Sequence, residues 1–157
     1  MHIGLRPATA SDFDFCAGLY MDALEWVIVT MNLERDMQLP TLRKTWTAPE
    51  VRIITEGGAD IGWLQITTRD DAIYISQIFV APARQRRGIG RGVLEGVIAD
   101  AEENSKAVAL SVVTTNPAVR LYKRLGFYVL HEAEGNYLMR HAPGVVTPLA
   151  NLRGRDV

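Results

Sequence analysis

The residues best equipped for chemistry are Gln85-Arg86-Arg87-Gly88-Ile89-Gly90, a basic, glycine-bearing segment between an apolar strand pattern and an amphipathic helix pattern. Glycines at 88 and 90 remove side chains where a backbone would approach a ligand closely. A helix starting there turns unpaired N–H groups and the positive end of its dipole outward. Arg84, Arg86, Arg87 and Arg91 add cationic charge around that end. Together these residues describe an anion site suited to a pyrophosphate. Two other phosphate-binding patterns fail: there is no Gly-x-x-x-x-Gly-Lys-Ser/Thr, and Val93 stands where a dinucleotide fingerprint needs a small third residue. ATP and NAD are therefore set aside. Read alone, the segment also fits an ordinary strand-to-helix turn with solvated arginines.

The chain that must position this segment has 157 residues, 48% hydrophobic and 22% charged, the composition of one soluble globular domain. Such a length buries enough surface to need no disulfide or metal staple. Cys16 is alone, which excludes an intrachain disulfide and a cysteine-rich zinc site, so no metal is expected. No apolar run reaches the length of a membrane span, and Met1 to Ala10 lacks a basic segment followed by an apolar stretch. A cytoplasmic location is the expectation. Charge is unevenly spread: residues 1–60 carry nine acids against five bases, whereas residues 84–92 carry four arginines and no acid. A pI of about 6.3 with one tight basic knot fits a small anionic ligand better than nucleic acid.

Hydrophobic periodicity predicts the elements. Residues 2–7 read as a strand, and Ser11 as the N-cap of a helix with Cys16, Leu19, Ala23, Trp26 and Val27 inward, ending near Thr30. A weaker helix covers about 33–45, with Leu33, Met37 and Leu42 inward and Pro40 arguing for a break. Val51–Thr55, Ile61–Thr68 and Ala72–Val80 form a three-strand meander whose first turn is Glu56-Gly57-Gly58-Ala59-Asp60. Ile89, Val93, Val97, Ile98 and Ala101 trace one helix face, and Ala107–Val113 is a further strand. Thr115 or Asn116 caps a helix that Gly126 stops, with Ala118, Leu121, Tyr122 and Leu125 inward. Two last strands, Phe127–His131 and Tyr137–Arg140, flank a turn at Glu134-Gly135-Asn136. The fold class is α/β (α+β): one domain over residues 1–141 with a mixed sheet, followed by a surface or partly disordered extension over 142–157.

Two segments carry a family resemblance. Ile78-Phe79-Val80-Ala81-Pro82-Ala83-Arg84-Gln85-Arg86-Arg87-Gly88-Ile89-Gly90 resembles the acyl-CoA signature of the GNAT superfamily of acetyl-CoA-dependent N-acetyltransferases. Asn116-Pro117-Ala118-Val119-Arg120-Leu121-Tyr122-Lys123-Arg124-Leu125-Gly126-Phe127 resembles its second motif. The resemblance covers residues 2–141. It implies a splayed, mixed sheet of about seven strands flanked by four helices, with acetyl-CoA in a cleft where the strand ending at Val80 parts from the one ending at Val113. It also implies that backbone groups of Ile78, Phe79 and Val80 pair with the pantetheine arm, and that Gln85, Arg86, Arg87, Gly88, Ile89, Gly90 and Arg91 cradle the pyrophosphate. Asn116 would hydrogen-bond the pantetheine, and Tyr122 would protonate the departing thiolate as general acid. The spacing from Asn116 to Tyr122 is one residue shorter than in many members.

The chemistry gives these roles their reasons. An amine attacking a thioester must be neutral, the oxyanion needs donors such as strand N–H groups, and the thiolate leaves more readily when protonated. No carboxylate occupies Tyr74 to Gln77, where some members place a general base. Gln77 could order a water, and Glu34, Asp70, Asp71 or His141 could reach a cleft mouth. Trp26, Met31, Met37, Leu39 and Trp46, with Glu25, Glu34 and Asp36, could shape the acceptor site, although helical packing explains most of them. The leading expectation is acetyl transfer to a primary amine of a small molecule or peptide, without a covalent enzyme intermediate. The alternative is an acyl-CoA-binding module with little activity. Dimerisation is common in the family, and a homodimer is an open expectation; neither nucleic acid nor membrane is expected as a partner.

Overall fold

The structure, a computed structural model, describes residues 2–143. Met1 and residues 144–157, including nearly all of the expected C-terminal extension, lie outside the described residues. In chain order the elements are β1 (Ile3–Pro7), α1 (Phe13–Met31), α2 (Gln38–Thr45), β2 (Val51–Glu56), β3 (Ala59–Thr68), β4 (Ala72–Val80), α3 (Ile89–Glu103), β5 (Ala107–Val113), α4 (Ala118–Arg124), β6 (Tyr128–Ala133) and β7 (Asn136–His141). The strands form a seven-stranded sheet in the order β1-β2-β3-β4-β5-β7-β6. Parallel pairing of β4 with β5 among antiparallel neighbours makes the sheet mixed. By contact density the described residues form two compact units, one drawn from residues up to 66 together with 76–90, the other from 67–75 together with those from 91 onward.

The first unit is built on an aromatic core. Phe13, Cys16, Ala17 and Tyr20 of α1 and Leu42 of α2 pack with Val51 and Ile53 of β2 and Trp63 of β3. The Phe79 ring meets Tyr20 edge-on at 5.9 Å and lies tilted on Trp63 at 5.3 Å. The buried stripe of α1 is therefore Phe13, Cys16, Ala17, Tyr20 and Ile28, while Trp26 lies 37% exposed. This corrects the expected stripe through Trp26. α1 is apolar around most of its circumference, so spacing alone could not choose the inward face.

The start of α1 also differs from expectation. A short 3₁₀ turn, Ala10–Asp12, precedes it, and the Thr9 N–H donates to Asp12 Oδ2 at 2.9 Å, so the cap lies at Thr9 and Asp12 rather than Ser11. Arg6 of β1 locks this corner by pairing with Asp12 at 2.8 Å and with Asp60 of β3 at 2.9 Å. Pro40 does not break α2, because it falls in the first turn, where N–H groups have no intrahelical partner. Of the three inward positions expected there, only Leu42 is buried; Leu33 and Met37 are exposed.

β2 runs one residue further than expected. Its hairpin turn is only Gly57-Gly58, both at positive φ, so Glu56 belongs to the strand and is buried. On β3, Gly62 permits a close backbone approach: a Cβ built there would overlap the Phe79 carbonyl oxygen and lie 3.1 Å from Val80 Cα. A strand glycine in contact with a neighbouring backbone has no slack for a methyl group. Gly62→Ala is expected to cost about 1–3 kcal/mol of stability, read as a lower urea midpoint at unchanged slope. An unchanged midpoint would mean β4 yields freely at Phe79.

In the second unit, Ala72–Ile75 of β4 pairs in parallel with Ala107–Leu110 of β5, and β5 pairs antiparallel with β7 along its length from Val108. Ala107, Val108, Leu110 and Val112 are buried, as are Val93, Leu94, Val97, Ile98 and Ala101 of α3 and Met139 of β7. The inward face expected for α3 is thus the observed one. Gly126, at φ 102°, ends α4 and lets the chain turn under His141, whose ring atoms lie 3.1 Å from where its Cβ would be. β6 is one of the two edge strands, opposite β1, and all six of its residues are exposed.

Candidate functional site

The segment singled out by its composition joins β4 to α3. After Val80, the Ala81 N–H donates to the Ile61 carbonyl at 2.7 Å, and Pro82–Arg84 makes one 3₁₀ turn. Gln85 folds back, its Nε2 donating to the Val80 carbonyl at 2.9 Å. Arg86 then takes φ 65° and Gly88 φ 81°, both left-handed, and α3 starts at Ile89, whose side chain is buried. Around Gly88 and Gly90 the space is open: a Cβ at either would meet nothing within 4 Å. The loop is a shallow cradle next to the N–H groups of a helix start, the arrangement that binds anions.

The four arginines do not act alike. Arg84 and Arg87 both reach Glu56, whose side chain is 3% exposed. Arg87 Nη2 donates to Oε2 at 2.8 Å and Nη1 to Oε1 at 3.1 Å, and Arg84 Nη1 donates to Oε1 as well. The Arg87 hydrogen bonds, aided by Arg84, hold the Glu56 carboxyl below the usual carboxylate range against the opposing effect of burial. Arg91 pairs with Glu95 one turn along α3 at 3.3 Å. Arg86 has no ion-pair partner among the described residues. The basic knot is thus partly neutralised by Glu56, an acid whose sequence neighbourhood predicts a turn.

On β4, Ile78, Phe79 and Val80 are half-buried. The Phe79 ring is anchored in the first unit's core, with Gly62 against its carbonyl. In the second unit, Asn116 Oδ1 accepts from the Ala118 N–H at 2.9 Å and so caps α4, a structural use of a side chain expected to meet the ligand. Tyr122 on α4 is buried, with its ring 5.9 Å from that of Phe127. Desolvation pushes its phenol above the ordinary value, which keeps it protonated at neutral pH, the form a proton donor needs.

The candidate bases fall on exposed or otherwise engaged positions. Glu34, Asp70 and Asp71 are exposed. His141 is half-buried, its ring 5.5 Å from Phe127 and its Nδ1 3.1 Å from the Ala142 carbonyl. Gln77 is half-buried on β4. In the segment expected to face an acceptor, Glu25 is paired bidentately with Arg35, while Trp46 packs edge-on against Phe13 at 5.4 Å. Leu39 and Met37 are exposed there. Among the described residues no three His, Cys, Asp or Glu cluster to hold a metal ion, and no helix is long and apolar enough to cross a membrane.

Sequence reasoning missed Glu56 and Gly62. Gly62 did carry a signal, since an isolated glycine inside a strand pattern marks a bulge or a close backbone approach. Glu56 carried none, because its partners lie 28 and 31 residues further on.

Comparison with known proteins bears on the family and the fold. Residues 20–127 match the family described as Acetyltransferase (GNAT) family. The chain is 25% identical over 130 residues to the peptidyl-lysine N-acetyltransferase YiaC of Escherichia coli (strain K12), covering 80% of this chain and 84% of that protein. Among solved structures, the PaiA N-acetyltransferase of Thermoplasma acidophilum in complex with coenzyme A superposes with TM-score 0.69 at 13% identity, over 90% of this chain and 99% of that one. The ribosomal-protein-S18-alanine N-acetyltransferase of Escherichia coli gives TM-score 0.65 at 18% identity, over 90% and 94%. The fold is that of these enzymes, and the match over most of the chain shows that this protein belongs to the GNAT acetyltransferase family.

Proposed function

We propose that this protein transfers the acetyl group of acetyl-CoA to a primary amine of a peptide or small molecule by direct attack, with Tyr122 as general acid. The observation that carries this reading is the cradle from Arg86 to Gly90, with two left-handed residues, open space over its glycines and a helix start beside it. Acetyl-CoA supplies an activated acyl group on a thiol leaving group. The N–H groups of the cradle and Arg86 hold its pyrophosphate, the strand backbone at Ile78, Phe79 and Val80 aligns the pantetheine arm, and Asn116 adds a polar contact to that arm. N–H groups of Phe79 or Val80 are offered to the developing oxyanion. As the C–N bond forms and the C–S bond breaks, the amine's proton passes to water or a surface base, and Tyr122 gives its proton to the sulfur.

The likeness to a peptidyl-lysine N-acetyltransferase makes lysine-bearing peptides the first acceptors to try. The second reading, an acyl-CoA-binding module with little activity, is favoured by the absence of a carboxylate from Tyr74 to Gln77. The test is calorimetric titration with acetyl-CoA, with CoA, ATP and NAD alongside, followed by a thiol-release assay over lysine peptides and small amines. Micromolar binding of acetyl-CoA but not ATP or NAD, with turnover on an amine, is the expected result. Binding without turnover on any amine would select the binding module. Absence of binding would remove both.

A further inference from the structure

Glu56 is a buried carboxylate for which the chemistry proposed above has no use. A carboxylate withdrawn from water persists only when its charge is paired, and here both partners come from the anion loop. Arg84 and Arg87 bracket Gln85 and Arg86, so one carboxylate grips the loop on both sides of the residue held at φ 65°. That conformation is disfavoured for any residue with a Cβ and survives where neighbouring structure dictates it. The Arg87 fork takes both oxygens, which fixes its orientation as well as its charge.

We propose that Glu56 is a positioning residue for cofactor binding. By tethering Arg84 and Arg87, it holds the loop in the shape that presents the N–H groups from Arg86 to Gly90, and it makes those two guanidiniums struts rather than ligand contacts. The inference rests on the acetyl-CoA reading above and adds to it the origin of the loop's shape. It also divides the basic knot by role: Arg86 meets the anion, while Arg84 and Arg87 maintain the geometry.

Glu56→Gln and Arg87→Lys, compared with the unaltered protein, test it. Kd is measured calorimetrically with acetyl-CoA, KM and kcat by thiol release, and loop order by amide hydrogen exchange over residues 84–90. For Glu56→Gln, Kd and KM are expected to rise about tenfold, with kcat at saturation falling far less. Exchange of the loop amides should quicken by a similar factor. Arg87→Lys keeps the charge but loses the fork, and is expected to weaken binding several-fold. Three results would overturn the proposal: tighter binding in Glu56→Gln as two cations are released, a lowered Tm with Kd and exchange unchanged, or wild-type affinity in Arg87→Lys. If Glu56→Gln does not fold, Arg87→Lys carries the test. Failure of the unaltered protein to bind acetyl-CoA would defeat the functional reading and this inference together. Normal binding by all three proteins would defeat this inference alone.

Discussion

Gly88→Glu is expected to raise the Kd for acetyl-CoA more than about 100-fold, equivalent to about 2.7 kcal/mol of binding free energy. Two effects add. Gly88 sits at φ 81°, where a side chain costs about 1–2 kcal/mol of backbone strain. The open space over its Cα, moreover, is where the ligand is proposed to lie, so the new side chain brings bulk and a negative charge against a pyrophosphate. Gly88→Ala separates them: it carries the strain and a methyl group without the charge, and should weaken binding by a smaller factor. The same titration checks both variants, with circular dichroism to confirm folding. Unchanged affinity in Gly88→Glu would remove the anion site from this loop.

Tyr122→Phe is expected to lower kcat about 100-fold or more, in the range for removing a positioned general acid, while the Kd for acetyl-CoA moves less than about twofold. The pH profile adds a second reading. A general acid must hold its proton, so activity is lost as pH rises through its pKa. Desolvation raises the Tyr122 phenol above its ordinary value, placing that loss in strongly alkaline solution and leaving kcat free of a Tyr122 transition through neutral pH. In Tyr122→Phe the alkaline transition should vanish along with most of the turnover. Unchanged kcat would reduce Tyr122 to a packing residue against Phe127.

Both predictions concern residues whose types and spacing already pointed to them. Gly88 and Gly90 stood between a strand pattern and a helix pattern, and the structure puts them in a left-handed loop and at a helix start. Local chemistry sufficed there, because a glycine that permits positive φ and a helix that begins after it are short-range facts. The same holds for Gly126 ending α4 and for the buried face of α3. Local signals failed where the pattern was ambiguous. The inward face of α1 could not be read from a helix apolar on most sides, and Leu33 and Met37 proved exposed beside a buried Leu42.

The primary sequence by itself determined the order of strands and helices, the place of the basic, glycine-bearing loop and the residue types available at the candidate site, since all of these follow from periodicity, turn chemistry and short motifs. Tertiary structure alone decided which charges are available and which are engaged. Glu56 looks like a turn residue until β3 folds back and Arg84 and Arg87 arrive from 28 and 31 residues away. Gly62 looks like a weak spot in a strand until the Phe79 carbonyl fills the space its side chain would need. The physical reason is the same in both cases. Burial and pairing are properties of surfaces brought together by the chain's return, and Coulombic and steric forces act on distance in space, whatever the separation in sequence.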